Sequence, residues 1–130
     1  MFDAAHALAY SAVLAWVMVM AAAGLGSQMW TPQGLRYSLG NRGEAKEKVG
    51  LAGRADRAAK NMLENLVLFA SLVAAAHFAG SHNKLVVIGA NVFFWARVVY
   101  WPVYLAGIPV LRTLIWGVGV AGMGMIAVSV

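Results

Sequence analysis

The chain has 130 residues, no cysteine and a net charge of +5, and it is 62% hydrophobic but only 12% charged. Soluble domains are usually about 45–50% apolar and about 25% charged, so this composition excludes a soluble globular protein and indicates a one-domain membrane protein. Without cysteine the chain forms no disulfide and has no thiolate of its own, so any thiol chemistry requires an external thiol.

Four apolar runs follow in chain order, and the helices that contain them are predicted at about residues 4–30, 54–80, 84–107 and 109–130. Each is long enough for a helix to cross the hydrocarbon core, which takes about 20 residues. Small residues at 21–24 are typical of a signal-peptide cleavage region. However, no basic residue precedes the first run, which is longer than the roughly 7–15 residues of a signal core. We therefore predict an all-α bundle of four transmembrane helices in one domain, residues 1–130, with a loop at 31–53.

The segment between the first two runs determines the predicted orientation. Residues 31–60 hold seven of the ten basic residues: Arg36, Arg42, Lys46, Lys48, Arg54, Arg57 and Lys60. By the positive-inside rule, this segment is cytoplasmic and both termini lie on the opposite side. Basic residues confined to such a segment meet anionic lipid headgroups, so no nucleic-acid partner is predicted.

The second run begins with a polar stripe. Arg54, Arg57, Asn61 and Glu64 fall within an arc of about 80° on one helix face. Solvation at the interface explains Arg54 but not Glu64, because a carboxylate inside a membrane is costly and usually faces the bundle interior with a partner. We interpret Glu64 as part of a polar network or binding site.

The third run carries Arg97, with Tyr100 and Tyr104 on the same face within about 60°. An arginine at this depth is not expected to face lipid. Tyr104 also fits an aromatic belt at the membrane interface, whereas Tyr100 is the better site candidate. Pro102 lies in the same helix and is expected to bend it.

The fourth run starts near Pro109 and carries Arg112, which is interpreted either as an anion-binding residue at a helix N-terminus or as a snorkelling interface arginine. The second and fourth helices start, and the third ends, on the cytoplasmic side, so polar groups of three helices are expected to converge there. No metal site is predicted, because no ligand spacing is present around the isolated histidines: His6, His77 and His82.

Two segments resemble the membrane-associated proteins in eicosanoid and glutathione metabolism, the MAPEG family. They are RADRAAKNMLENLVLF, at 54–69, and ARVVYWPVYLAG, at 96–107. The resemblance implies a homotrimer in the lipid bilayer that binds glutathione as a co-substrate between subunits near the cytoplasmic side. It also implies that Arg112 lies by the glutathione thiol, where a cation stabilises the thiolate. The implied glutathione contacts are Arg54, Arg57, Asn61, Glu64, Arg97, Tyr100 and Tyr104.

Two departures argue against a leukotriene-type substrate. Asn65 stands where eicosanoid-forming relatives often have an aromatic residue, and SQMWTPQG lacks their arginine pair, for which Arg36 or Arg42 is a candidate substitute. The sequence therefore predicts a glutathione transferase or peroxidase for detoxification of hydrophobic electrophiles or lipid hydroperoxides. One alternative is a non-enzymatic lipid-binding or scaffold protein of the same fold. A small multidrug transporter is less consistent, because its decisive carboxylate is expected within the first span.

Overall fold

The computed structural model describes residues 1–40 and 49–130, so Arg42, Lys46 and Lys48 lie outside the described residues. Within these ranges the chain forms α1 Ala4–Ser27, α2 Pro32–Leu39, α3 Gly50–Phe78, α4 Lys84–Ala106 and α5 Pro109–Ala127. Four of the helices, α1, α3, α4 and α5, are long and apolar enough to cross a membrane. In the described residues, the predicted all-α architecture with four helices able to span a membrane is confirmed, and the homotrimer stays a prediction.

The start of α1 is fixed by two side chains. Asp3 caps the helix by accepting from the backbone N–H of His6 at 2.8 Å. This bond and the His6 ring lower the pKa of Asp3. The Asn91 side chain of α4 accepts from the Phe2 N–H at 3.0 Å and donates to the Phe2 carbonyl at 2.6 Å. These bonds attach the segment before α1 to α4.

The short helix α2 lies within residues 31–53, which were predicted to form a loop. Thr31 caps it by accepting from the Gly34 N–H at 3.0 Å, and Pro32 occupies the first turn. Gly34 lies so close to the end of α1 that a Cβ there would be 2.1 Å from the Ser27 carbonyl oxygen. The TPQG stretch therefore carried a helix-start signal, a capping threonine followed by proline, that the hydrophobicity pattern alone did not show.

Helix α3 is the longest, with 29 residues from Gly50 to Phe78, about 43 Å at 1.5 Å per residue. It begins before the predicted start near Arg54, and it exceeds the roughly 30 Å of a hydrocarbon core. Its first turns therefore extend into the headgroup region, where Lys60 pairs with Asp56 at 3.1 Å. Glu64 follows one turn after Lys60 on the same helix.

Helices α4 and α5 approach closely at a pair of glycines, Gly89 and Gly122. A Cβ on Gly122 would lie 2.7 Å from the Gly89 carbonyl oxygen and 2.9 Å from the Phe93 amide nitrogen. Both obstacles are backbone atoms, so the helices would have to separate to admit a side chain. Nearby, the rings of Phe69 and Phe93 stack with centroids 4.1 Å apart and join α3 to α4 in the core.

The sidedness of the membrane spans stays a prediction that cysteine labelling can test, since the chain has no cysteine. Leu39, on the loop side, is 78% exposed, and His82 lies in the exposed turn at the other end. In intact cells a reagent that cannot cross the membrane is expected to label His82→Cys and to leave Leu39→Cys unlabelled until the cells are opened. The reverse pattern would contradict the orientation.

Candidate functional site

A polar cavity of about 360 Å³ opens at the end of the bundle where α3 and α5 begin and α4 ends. Three helices contribute to it because their polar residues all lie near this one end. The lining residues are Arg57, Lys60, Asn61 and Glu64 of α3, Tyr100 and Tyr104 of α4, and Arg112, Thr113 and Trp116 of α5. Three cationic side chains therefore share the cavity with one carboxylate.

Glu64 is exposed on the cavity wall. Within residues 1–40 and 49–130 its carboxylate has no hydrogen-bond or ion-pair partner. The interpretation of Glu64 as part of a polar network or binding site stays a prediction. A counter-charge from a ligand would stabilise a carboxylate beside an apolar segment.

Arg97 lies behind the cavity rather than in its lining. Its side chain is 1% exposed, and Nη1 donates to Asn61 Oδ1 at 2.8 Å. Because arginine only donates, the oxygen of the Asn61 amide must face Arg97. The Asn61 amino group is left to donate toward the cavity. Two further nitrogens of Arg97, Nε and Nη2, are buried without a partner among the described residues.

On the α4 side, two tyrosines line the cavity, and each stacks against an arginine. The Arg97 guanidinium lies 4.7 Å from the centroid of the Tyr100 ring, and the Arg112 guanidinium lies 4.8 Å from that of Tyr104. The two tyrosine rings contact each other edge to face at 5.4 Å. Stacking on a ring holds an arginine by cation–π attraction while leaving its N–H groups free to bind an anion.

Arg54 ties α3 to the end of α4 instead of lining the cavity. Its Nε donates to the Leu105 carbonyl at 2.9 Å, in the last turn of α4. The side chain also lies against Gly107, whose φ of 73° favours glycine and ends the helix. Arg54 thereby holds the ends of two helices at the cavity mouth.

Of the eight predicted site residues, the structure brings six to one cavity: Arg57, Asn61, Glu64, Tyr100, Tyr104 and Arg112. Arg97 contacts Asn61 of the lining, and Arg54 contacts Leu105 at the end of α4. The ligand roles of all eight residues stay predictions. Lys60, Thr113 and Trp116 were missed, although Lys60 precedes Asn61 and Trp116 lies one turn after Arg112. Asn65 is buried and donates to the Asn61 carbonyl at 2.9 Å, facing away from the cavity.

Comparison of the sequence with known proteins identifies its family. The family model described as the MAPEG family matches residues 4–130, which is nearly the whole chain. No curated protein and no solved structure matches the chain. The family comprises membrane proteins that include glutathione transferases and related eicosanoid enzymes. The match confirms the resemblance seen in the two polar motifs, and this chain belongs to the MAPEG family.

Proposed function

We propose that the protein is a membrane glutathione transferase or peroxidase that activates the glutathione thiol for attack on hydrophobic electrophiles. The observation that carries the proposal is the charge pattern of the polar cavity. Its lining holds one carboxylate, Glu64, and three cations: Arg57, Arg112 and Lys60, which also pairs with Asp56 at 3.1 Å. Glutathione has two carboxylates, one ammonium and one thiol. Two of the cations can pair with its two carboxylates, and Glu64 can pair with its ammonium. The third cation is then available to stabilise the thiolate.

In the proposed binding mode, Glu64 accepts from the ligand ammonium, while Arg57 and Lys60 bind its carboxylates at the water-exposed mouth. Asn61, with its oxygen held by Arg97, donates its amino group to the peptide backbone of the ligand. Arg54 and Arg97 act by positioning, since neither lines the cavity. Charge-assisted hydrogen bonds of this kind are stronger than neutral ones and select for a multiply charged ligand.

Arg112 is the proposed thiol-activating residue. Its guanidinium, held over the Tyr104 ring, stabilises a thiolate at the start of α5. The thiol proton leaves to water, the sulfur forms a bond to an electrophilic carbon, and the leaving group departs with the bonding electrons. With a lipid hydroperoxide, two glutathione molecules become the disulfide while the peroxide is reduced to an alcohol and water.

The oligomer is also part of the proposal. Glu64 and Arg57 are exposed on one chain, and a site at the boundary between copies in a homotrimer would enclose them. Closing the cavity would exclude water and strengthen each charge interaction. Hydrophobic substrates would arrive laterally from the bilayer.

Glu64→Gln is expected to weaken glutathione binding by about 1.5–3 kcal/mol, or about 10- to 150-fold, the size of a hydrogen bond to a charged group. The amide keeps the volume of the carboxylate and loses the charge. The measurement is a thermal-shift titration of the purified protein, because a ligand that binds only the folded state raises its stability by mass action.

A glutathione analogue that lacks the amino group separates the proposed contact from a general effect. Wild type is expected to bind the analogue more weakly than glutathione, and Glu64→Gln is expected to bind both equally. Asp3→Asn removes a carboxylate at the opposite end and is the charge-matched control. Equal glutathione affinity in wild type and Glu64→Gln would contradict the contact between Glu64 and the ligand ammonium. Failure of the wild type to bind glutathione would favour the lipid-binding or scaffold alternative.

A further inference from the structure

A second cavity, of about 580 Å³, lies at the other end of the bundle from the polar one. The start of α1, the end of α3 and the start of α4 form its walls. The space exists because alanines stand where the helices face each other, among them Ala4, Ala5, Ala74 and Ala76. Its volume lies within the range of about 300–1,000 Å³ that is typical of small-molecule sites.

The rim of this cavity is polar on one side only. It is formed by His77 and by the turn that leads into α4, including His82 and Lys84. Among residues 1–40 and 49–130, Lys84 has no ion-pair partner. The carboxylate at the start of α1, Asp3, is held by the backbone and ring of His6, each at 2.8 Å. The rim therefore offers an uncompensated ammonium above an apolar chamber.

We propose that this cavity binds a single-chain anionic amphiphile, a long-chain carboxylate, with its head at Lys84 and its chain between α1 and α3. The turn before α4 lies at the membrane surface, where a carboxylate keeps contact with water and the lysine extends to meet it. The walls below it, which include Leu8, Val73 and Val86, provide apolar contact for the chain. A volume of about 580 Å³ suits one acyl chain better than the two chains of a phospholipid.

This site shares no lining residue with the polar cavity. Its ligand is therefore expected to bind together with glutathione rather than compete with it. The inference stands on its own cavity and does not depend on the proposed transferase activity.

The test uses the full chain in nanodiscs of phosphatidylcholine, titrated with 11-(dansylamino)undecanoic acid and corrected with empty nanodiscs. One saturable site per chain is expected, displaced by dodecanoate and unaffected by glutathione. Ala74→Leu fills the cavity and is expected to weaken binding at least tenfold. Ala75→Leu makes the same change on the next residue, which is exposed and outside the lining, and is expected to bind like wild type.

The head-group contact is tested at Lys84. Lys84→Gln is expected to weaken dodecanoate binding about tenfold, Lys84→Arg to restore it, and neutral dodecanol to bind all three proteins equally. Should Ala74→Leu fail to give a native circular dichroism spectrum, Ala5→Leu fills the cavity from the opposite wall.

Three results would overturn the proposal. One is equal binding by Ala74→Leu and Ala75→Leu. Another is the absence of saturable binding to wild type, as expected if a second copy of the chain covers the cavity. The third is loss of dodecanoate binding in phosphatidylglycerol nanodiscs, which would assign the cavity to a membrane phospholipid.

Discussion

Replacing Arg112 by alanine is expected to lower turnover with a generic electrophile about 20-fold at pH 7 while changing glutathione affinity little. A guanidinium beside the thiol is expected to lower the thiol pKa of bound glutathione to about 6.5, against about 8.5 for a free thiol. About three quarters of the bound thiol would then be thiolate at pH 7, and about 3% after the charge is removed. The other cations, Arg57 and Lys60, remain to bind the carboxylates.

The pH profile separates a thiol effect from a structural one. Because the guanidinium lowers the thiol pKa, its removal is expected to shift the rise in rate to higher pH, so that Arg112→Ala recovers activity above about pH 8.5. Arg112→Lys keeps the charge and is expected to retain most of the shift. Thiolate absorbance of bound glutathione reports the same titration without a substrate. A thiol that titrates in the wild type as it does in water would exclude this mechanism.

Replacing Gly122 by alanine is expected to destabilise the protein by about 3 kcal/mol, at the upper end of the range for overpacked cores. The added Cβ would meet the Gly89 carbonyl oxygen at 2.7 Å and the Phe93 amide nitrogen at 2.9 Å. Neither atom moves without shifting a helix. Unfolding in sodium dodecyl sulfate, followed by circular dichroism, measures the loss.

Gly124→Ala is the matched control on the same helix, because a Cβ there meets no atom within 4 Å. Alanine is favoured over glycine within a helix by up to about 1 kcal/mol, so this variant is expected to be unchanged or slightly more stable. Equal losses in the two variants would show that the crossing of α4 and α5 does not set the effect.

The four spans could be predicted because length and hydrophobicity alone decide which segments cross a bilayer. The extra helix α2 is only eight residues long and is not a long apolar run, so the capping residue Thr31 is the main sign of it in the sequence. Helix ends also shifted: α1 stops at Ser27 because Gln28 adopts a left-handed conformation with φ of 53°. The backbone conformation of a single residue cannot be read from the hydrophobicity of the sequence.

Only part of the polar cavity could be predicted from the sequence. Helical periodicity places Arg97, Tyr100 and Tyr104 on one face, but it does not give the direction in which a long side chain extends. Arg97 reaches behind Asn61, and Arg54 reaches the end of α4, so neither lines the cavity. The apolar cavity at the other end could not be predicted, because it depends on small residues of three helices meeting in space.

The attachment of Phe2 to Asn91 has a consequence for biosynthesis. The two residues are separated by 89 positions, so the first segment reaches the bilayer long before its partner has been synthesised. Unpaired backbone groups are costly in lipid. The Phe2 amide and carbonyl must therefore stay at the water-exposed surface until α4 is inserted. This contact consequently closes only after most of the chain has been synthesised, and a ribosome stalled before Asn91 would leave α1 without it.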